Sequence, residues 1–353
     1  MAYTTIDNPE LYFQTKLYTG NASTNAITLD GSENMQPDFV WCKNRASAKY
    51  HGLYDSVRGT GTSKSLTSNS TEAEGANANF INLTSFDSDG FTLGATSSTN
   101  QINTSGENHV AWNWKAGGTA SSNSNGSITS SVSAGSTQGF SIVSYTGTGS
   151  IATVGHGLGV APTVLIVKKR SQSAHWGIGS KHIDNWTDYL VFGTFAQQDD
   201  ANFWNDTAPT STVFSIGSSG NVNTSSETHI AYCFAPIKGF SKFGSYTGNG
   251  NADGSYIHLG FRPAFVLIKV TSTTNDWEIH DNKRGSSNVI NAILQPNLTD
   301  AESTSGREID FLSNGFKLRN SNSQNNLSGG TFIYMAFAES PFVNSNGIPN
   351  NAR

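Results

Sequence analysis

Two short segments place an acidic and a basic side chain three residues apart. They are "HDNKRG", with Asp281 and Arg284, and "YDSVRG", with Asp55 and Arg58. An Asp beside an Arg could move a proton or bind a ligand carboxylate. The same pair also forms where an Asp caps the backbone of a turn and ion-pairs with the Arg. We favour the turn and retain Asp281 and Arg284 as candidate binding residues.

Tryptophans are the second class of candidate. An exposed indole can stack on a sugar ring, as in lectin-like sandwiches. Trp112 and Trp114 lie on one face of a predicted strand, so we expect them in a core. Trp186 and Trp204 lie in loop-rich stretches and are our candidates for surface contact.

Metal and redox chemistry have weak signals. "NGNADG", from position 249, opens like a calcium loop with Asn249, Asn251 and Asp253 at alternate positions, but position 260 is Gly where a Glu is expected. We interpret it as a turn and expect no metal and no cofactor. Cys42 and Cys233 lie in different copies of the repeat described below, so we expect small strand residues rather than reactive thiols or a disulfide.

The chain repeats one pattern three times. Each copy opens with Tyr-Thr-Gly, continues with a proline that begins an apolar strand and a lysine six residues later, and ends with an apolar segment. The Tyr-Thr-Gly tyrosines are Tyr18, Tyr145 and Tyr246, and the proline and lysine pairs are Pro37/Lys43, Pro162/Lys168 and Pro263/Lys269. The closing segments are "HVAWNW" from 109, "HIAYCF" from 229 and "FIYMAF" from 332. A repeat of roughly 100 residues is longer than a solenoid unit and matches a whole domain.

The copies divide the chain into six segments. They are a docking arm at residues 1–16, copies at 17–118, 139–239 and 240–342, a linker rich in Ser, Gly and Asn at 119–138, and a tail at 343–353. Polar small residues are typical of linkers.

The strands point to an all-β fold. In "AFVLIKV", Phe265, Leu267 and Lys269 share one face, and Val266 and Ile268 share the other. Gly, Asn, Asp and Ser separate such runs, as in "FDSDGF" and "FLSNGF", and no segment carries a convincing helical stripe. We predict three tandem antiparallel β-sandwiches, jelly-roll-like in type.

The repeat also tests the candidate chemistry. The second copy has Ser180 and Lys181 where the others have Asp281 or Asp55, so it lacks the Asp and Arg pair. His109 and His229 align with Phe332. A position that accepts Phe is a packing position, so we expect both histidines to be buried and not to bind metal.

Composition excludes some partners. Charged residues make up 13% of the chain and the net charge is -5, whereas a nucleic-acid partner would require a basic patch. No apolar run is long enough to span a membrane, and the opening "MAYTTIDNPELYFQTK" lacks the pattern of a secretory signal. We expect neither nucleic-acid binding nor membrane insertion.

Several segments resemble a family of tandem β-domains in tail-fibre or otherwise uncharacterised structural proteins of marine bacteriophages, including cyanophages. They include "YFQTKLYTGN" (12–21), "GHGLGVAPTVLIVKKR" (155–170), "GSYTGNGNADGSYIHLGFRPAFVLIK" (244–269) and "FLSNGFKLRN" (311–320). The first copy departs from the pattern, with Glu33-Asn34 where the others have Leu158-Gly159 and Leu259-Gly260. The resemblance implies a virion component at the tail periphery and brings no catalytic residues.

We therefore expect a non-enzymatic protein on the exterior of a phage particle, as a tail fibre or receptor-contacting module. The alternatives are a capsid decoration protein and a carbohydrate-binding or carbohydrate-degrading tail protein. The expected partners are other virion proteins through the arm at residues 1–16, a host surface glycan or receptor, and further copies of the chain in a homotrimer.

Overall fold

The computed structural model describes residues 3–77, 83–95 and 101–350. The regular secondary structure of these residues is almost entirely β-strand, and all the paired strands are antiparallel, which confirms the predicted fold class. The exceptions are α-helices Ala201–Trp204 and Ser323–Asn326 and 3-10 helices Pro9–Leu11, Thr62–Lys64 and Asp184–Trp186. Among the described residues no helix has the length and apolar character needed to cross a membrane.

Unit one contains strands β1 to β7. They are β1 (Phe13–Thr19), β2 (Asn25–Thr28), β3 (Phe39–Asn44), β4 (Gly52–Asp55), β5 (Leu83–Asp87), β6 (Gly90–Leu93) and β7 (Asn108–Trp114). The larger sheet has the order β1-β7-β3-β4, and the smaller sheet has the order β2-β6-β5.

Units two and three repeat this plan. Unit two contains β8 (Ser121–Asn123), β9 (Ser130–Gly135), β10 (Phe140–Thr146), β11 (Ala152–Gly155), β12 (Val164–Lys169), β13 (Gly177–Ser180), β14 (Asp188–Tyr189), β15 (Gln198–Asp199), β16 (Val213–Ile216) and β17 (Thr228–Phe234). Unit three contains β18 (Ser241–Thr247), β19 (Tyr256–His258), β20 (Phe261–Val270), β21 (Trp277–Asp281), β22 (Ile309–Leu312), β23 (Gly315–Leu318) and β24 (Thr331–Pro341). Their larger sheets include the orders β10-β17-β12-β13 and β18-β24-β20-β21, which match unit one strand for strand.

Each larger sheet is buried on both faces. In β20, Phe265 and Leu267 enter a central core, whereas Val266 and Ile268 enter a separate core under the smaller sheet of unit three. Strands β3 and β12 divide their side chains in the same way. The alternation predicted from the sequence is therefore present. One face of each larger sheet packs against the central core, and the other face packs against the core of its own unit.

All three units contribute to the central core. It contains 33 of the described residues, 15 of them aromatic, so the contact resembles a domain interior more than an interface between separate domains. Rings from different units touch, with Phe39 and Tyr232 centroids 4.4 Å apart and Phe234 and Phe337 centroids 6.0 Å apart. The three units surround one shared interior.

Two predicted connecting segments belong to the folded body. The segment predicted as a linker, 119–138, forms β8 and β9, which extend the larger sheet of unit two, and Val132 is buried. The segment predicted as an arm, 1–16, contains the start of β1, and Ile6 and Phe13 lie in the central core. Residues 1 and 2 of the predicted arm, and the last three residues of the predicted tail at 343–353, lie outside the described residues.

The Tyr-Thr-Gly signature is a packing device that recurs in each unit. The three tyrosine hydroxyls donate to backbone carbonyls of their own unit: Tyr18 to Ile102 at 2.7 Å, Tyr145 to Val222 at 2.6 Å and Tyr246 to Asn325 at 2.6 Å. A Cβ on the glycine would lie 2.2 to 2.4 Å from a carbonyl oxygen in every copy, at Gly20, Gly147 and Gly248. Only glycine allows this approach of the two backbones.

Candidate functional site

The repeated ionisable residues meet where one unit contacts the next. We call these contacts junction 1/2, junction 2/3 and junction 3/1 after the units that they join. At each junction a lysine donates to the carbonyl oxygen of a threonine in the adjacent unit: Lys168 to Thr71 at 2.9 Å, Lys269 to Thr194 at 3.1 Å and Lys43 to Thr299 at 3.0 Å. Unit two thus contacts unit one, unit three contacts unit two, and unit one contacts unit three. The chain closes on itself as a ring of three units.

Backbone hydrogen bonds repeat the same cycle. Each threonine carbonyl also accepts an N–H from the adjacent unit, and each junction has a second bond in the opposite direction. The pairs are Ala174 N to Thr71 O with Glu74 N to Arg170 O, Asn275 N to Thr194 O with Gln197 N to Thr271 O, and Lys49 N to Thr299 O with Glu302 N to Arg45 O. All six lie between 2.7 and 2.9 Å, so the three junctions share one backbone geometry.

Asp281 and Arg284, the candidate binding pair, lie inside junction 3/1. The Arg284 Nε donates to Asp281 Oδ2 at 2.5 Å, and Trp112 of unit one donates its indole N–H to the same oxygen at 3.0 Å. Asp281 Oδ1 accepts the backbone N–H groups of Lys283 and Arg284. Both side chains are fully buried. Their polar atoms are occupied by a turn and an ion pair, so this structure offers no ligand access to them.

The pair continues into a longer network at that junction. Arg284 also contacts Glu302 at 3.2 Å, and Glu302 forms an ion pair with Arg45 of unit one at 2.7 Å. Because the ions lie in a fixed geometry at low exposure, removing one of them would leave its partner buried and unpaired.

Junction 1/2 has the same network from equivalent residues. Asp55 accepts from Arg58 and, at 2.8 Å, from the hydroxyl of Tyr232 in unit two. Glu74 contacts Arg58 at 3.1 Å and Arg170 of unit two at 2.7 Å.

Junction 2/3 has the same backbone geometry without the ionic network. In the positions of Asp, Arg and Glu it carries Ser180, Ile183 and Gln197, and in the position of the second arginine it carries Thr271. Met335 stands where the other junctions have the donor Trp112 or Tyr232. The acceptor and its donor have been replaced together.

The junction lysines are buried as well as hydrogen-bonded. Burial lowers the pKa of Lys43 and of Lys168 to about 7, and that of Lys269 to about 8. Their other acceptors are carbonyls on their own units, at 2.8 Å for Lys43 to Asn44 and 2.5 Å for Lys168 to Ala174. The proline and lysine spacing of the repeat therefore marks the contact between units.

The prediction that Trp186 and Trp204 offer a sugar-stacking surface is wrong. Both are buried in the core of unit two, with ring centroids 6.2 Å apart at an interplanar angle of 83°. A Cβ on Gly179 would lie 2.5 Å from Trp204 and 2.8 Å from Trp186. The indoles fill the space that Gly179 leaves open on β13. The burial of the two tryptophans could have been predicted from the sequence, because unit two combines Gly177-Ile178-Gly179 with two tryptophans that the other units lack.

The histidines and cysteines expected to be packed are buried. His109 stacks on Tyr18 at 5.0 Å and His229 on Tyr145 at 5.1 Å, as Phe332 does on Tyr246 at 4.9 Å. Burial lowers the pKa of both histidines to about 4. Burial also raises the pKa of Cys42 and Cys233 to about 12, so neither thiol is activated.

The loop that resembles a calcium site is a series of turns. Asn249 Oδ1 accepts the Asn251 N–H at 3.0 Å, and Asn251 Oδ1 accepts the Asp253 N–H at 2.9 Å. Asp253 forms an ion pair with Lys317 at 2.8 Å. Within the part of the chain that the structure describes, no three His, Cys, Asp or Glu residues are grouped as metal ligands.

One buried pair in unit three was missed by sequence reasoning. His280 Nε2 lies 3.2 Å from Glu278 Oε2, and Arg307 lies 3.7 Å from Glu278 Oε1. Both members of the pair have fully buried side chains, and the equivalent positions of unit two are Gly177 and Gly179. Its chemistry suits an acid and a base, but the pair has no exposure to a substrate.

The second feature that sequence reasoning missed is a cleft of about 230 Å³ in unit two, beside junction 2/3. Tyr189 and Phe195 form its aromatic walls, and His175, Gln198 and Asn221 provide its polar groups. Phe195 is 54% exposed.

Comparisons with known proteins give one match. A family model described as a domain of unknown function (DUF7483) matches residues 8–341, which include all three units. No curated protein and no solved structure matches the chain.

Proposed function

The chain belongs to this family over nearly its whole length, and we propose that it is a non-enzymatic structural protein on the exterior of a phage particle. The observation that carries the proposal is the location of the repeated ionisable residues. Asp55, Arg58, Asp281 and Arg284 have fully buried side chains. Asp55 and Asp281 each accept a hydrogen bond from the adjacent unit, and the two arginines form ion pairs with these aspartates. Repeated residues that serve the contacts between units support a structural role. The resemblance to marine phage tail proteins supports a location on the exterior of a phage particle.

We place the protein first at the tail, as a receptor-contacting module. A module built around one aromatic interior is a rigid body on which loops are held in fixed relative positions.

Capsid decoration is the second candidate, and a specific observation favours it over a fibre shaft. The units form a closed ring in place of a row, and residues 3–16 pack on the body in place of extending as a free arm. Docking onto a particle would then use a folded surface. Asp7 and Ser345 meet there, with Asp7 Oδ1 accepting the Ser345 N–H at 2.6 Å, so the segments around both residues lie on one face.

The homotrimer stays a prediction. One chain already supplies three similar units in cyclic order, so the ring requires no second chain. Light scattering on the purified protein gives the mass of one chain or of three.

Mass spectrometry of purified particles, followed by immunogold labelling, tests the proposal and separates tail from capsid. We expect this protein among the virion proteins at a fixed site. Its absence from purified particles would overturn the proposal. Release of oligosaccharides from host envelope polysaccharide by the wild-type protein, lost in Asp281→Asn while the variant stays folded, would overturn the non-enzymatic part alone.

A further inference from the structure

The cleft in unit two has the lining of a ligand site. Phe195 presents its ring to solvent, and Tyr189 is held in place by a ring stack on Phe203 with centroids 3.6 Å apart. The Tyr189 hydroxyl donates to Gln198 Oε1 at 2.7 Å. An aromatic wall that is already fixed loses little side-chain entropy when a ligand binds.

The polar groups of the cleft can donate hydrogen bonds. Gln198 uses its Oε1 to accept from Tyr189, and Asn221 uses its Oδ1 to accept the His175 N–H at 3.0 Å. These acceptor roles assign the amide orientations and leave the two NH2 groups without a partner among the described residues. The cleft lining contains no Asp, Glu, Lys or Arg. Such a lining suits an uncharged ligand rich in oxygen acceptors.

The two aromatic residues of this cleft are not repeated at the equivalent positions of the other units. Phe195 follows the junction threonine Thr194, and the residues in that position elsewhere are Glu72 and Asp300. Leu190, Leu66 and Leu294 are equivalent residues, because each forms an isolated β-bridge to the fourth sheet strand of its unit. The residue before Leu190 is Tyr189, whereas the residues before Leu66 and Leu294 are Ser65 and Ile293. The fold is kept with polar or aliphatic residues at these positions, so packing does not require the two aromatics.

We propose that this cleft binds one sugar residue of a neutral glycan. The exposed face of Phe195 would contact the apolar face of the ring, and the amides of Gln198 and Asn221 would donate to its hydroxyl oxygens. A cleft of about 230 Å³ has room for a single sugar ring. This inference rests on the proposed function and deepens it, because it names the ligand class through which an exterior virion protein would contact a cell.

The test uses the purified full chain and four probes: the methyl glycosides of glucose, galactose, mannose and N-acetylglucosamine. Saturation-transfer NMR reports contact, and titration gives the dissociation constant. We expect transfer to at least one glycoside, and binding about tenfold weaker or worse in Phe195→Ala and in Gln198→Ala. Ile151→Ala is the matched control, because Ile151 is a 68% exposed aliphatic residue of the same unit outside the cleft. Its affinity should equal that of the wild type.

Three results would overturn the inference. They are no transfer to any of the four glycosides, equal affinity in Phe195→Ala and wild type, and occupation of the cleft by another virion protein in cross-linked particles. The proposed function is tested separately on virions, so a protein found in particles that binds no glycoside would refute the sugar site alone. If the protein binds a glycoside but is absent from particles, the sugar site is supported and the proposed location on the virion is refuted.

Discussion

Junction 3/1 and junction 2/3 have the same backbone contacts but different side chains. A network of ion pairs is buried at junction 3/1, and uncharged residues take its place at junction 2/3. At junction 3/1, Asp281, Arg284 and Glu302 form a buried ionic network with Arg45. At junction 2/3 the equivalent positions are Ser180, Ile183, Gln197 and Thr271. The lysine, the threonine carbonyl and the two backbone hydrogen bonds are present in both. The ring geometry therefore comes from the backbone and the aromatic core, and the charges are an addition that two junctions share.

Removing one charge from junction 3/1 should have the largest effect. Asp281→Ala leaves the Trp112 indole N–H buried without its acceptor and removes one of the two carboxylates that the buried Arg284 guanidinium contacts, Glu302 being the other. We expect the free energy of unfolding to fall by about 3 to 5 kcal/mol. Urea unfolding measures it, and a loss below about 1 kcal/mol would mean that solvent reaches the network.

The junction lysines are common to both kinds of junction and should make stability depend on pH. Folding lowers the Lys168 pKa to about 7, from about 10.4 in the unfolded chain. The unfolded state therefore holds the extra proton between these values, and stability rises with pH from about 7 to about 10.4. Below about pH 7 Lys168 is charged in both the folded and the unfolded state, and the full cost of burying its charge lowers the stability.

Lys168→Met measures this contribution. Each lysine adds at most about 1.4 kcal/mol per pH unit to the slope. Urea unfolding at pH 7, 8 and 9 should give a smaller slope for Lys168→Met than for wild type, with the exposed Lys181→Met as control. Equal slopes in all three proteins would show that Lys168 keeps its charge throughout.

Converting one junction into the other sharpens the comparison. The variant Arg45→Thr, Asp281→Ser, Arg284→Ile and Glu302→Gln gives the four charged positions of junction 3/1 the residues of junction 2/3 and keeps Trp112. Because no charge is left unpaired, we expect stability within about 2 kcal/mol of wild type, and above that of Asp281→Ala. If the four changes cost more than Asp281→Ala alone, the network itself holds the ring closed.

The smallest effect is expected at junction 2/3, which lacks the ionic network. Ser180 stands in the position of Asp281, and its hydroxyl accepts the His182 N–H at 3.1 Å. Ser180→Ala removes one local hydrogen bond and should cost about 1 kcal/mol or less. Thermal unfolding beside Asp281→Ala compares the two positions directly, and similar losses would contradict the contrast drawn between the junctions.

Sequence reasoning found the local structure and missed what surrounds it. The exchange of His109 and His229 for Phe332 correctly indicated packing, and the turn interpretation of Asp281 is consistent with its two backbone acceptor bonds. Trp186 was misplaced because the segment around it shows no periodicity, while the glycine that it covers, Gly179, lies on β13. The cleft was not predicted because Tyr189 and Gln198 lie on β14 and β15, strands of two residues that are too short to show alternation, and Phe195 lies in the loop between them.

The sequence by itself determined the repeat, the antiparallel strands and the alternation of their side chains, because these depend on neighbours along the chain. The tertiary structure alone decided that the units form a ring. Alternation shows that Phe265 and Val266 point in opposite directions, but the cover on each face comes from distant residues. The same limit applies to Lys43, Lys168 and Lys269. Their spacing was evident in the sequence, and their acceptors in the adjacent unit became identifiable only when the three sheets closed around one core.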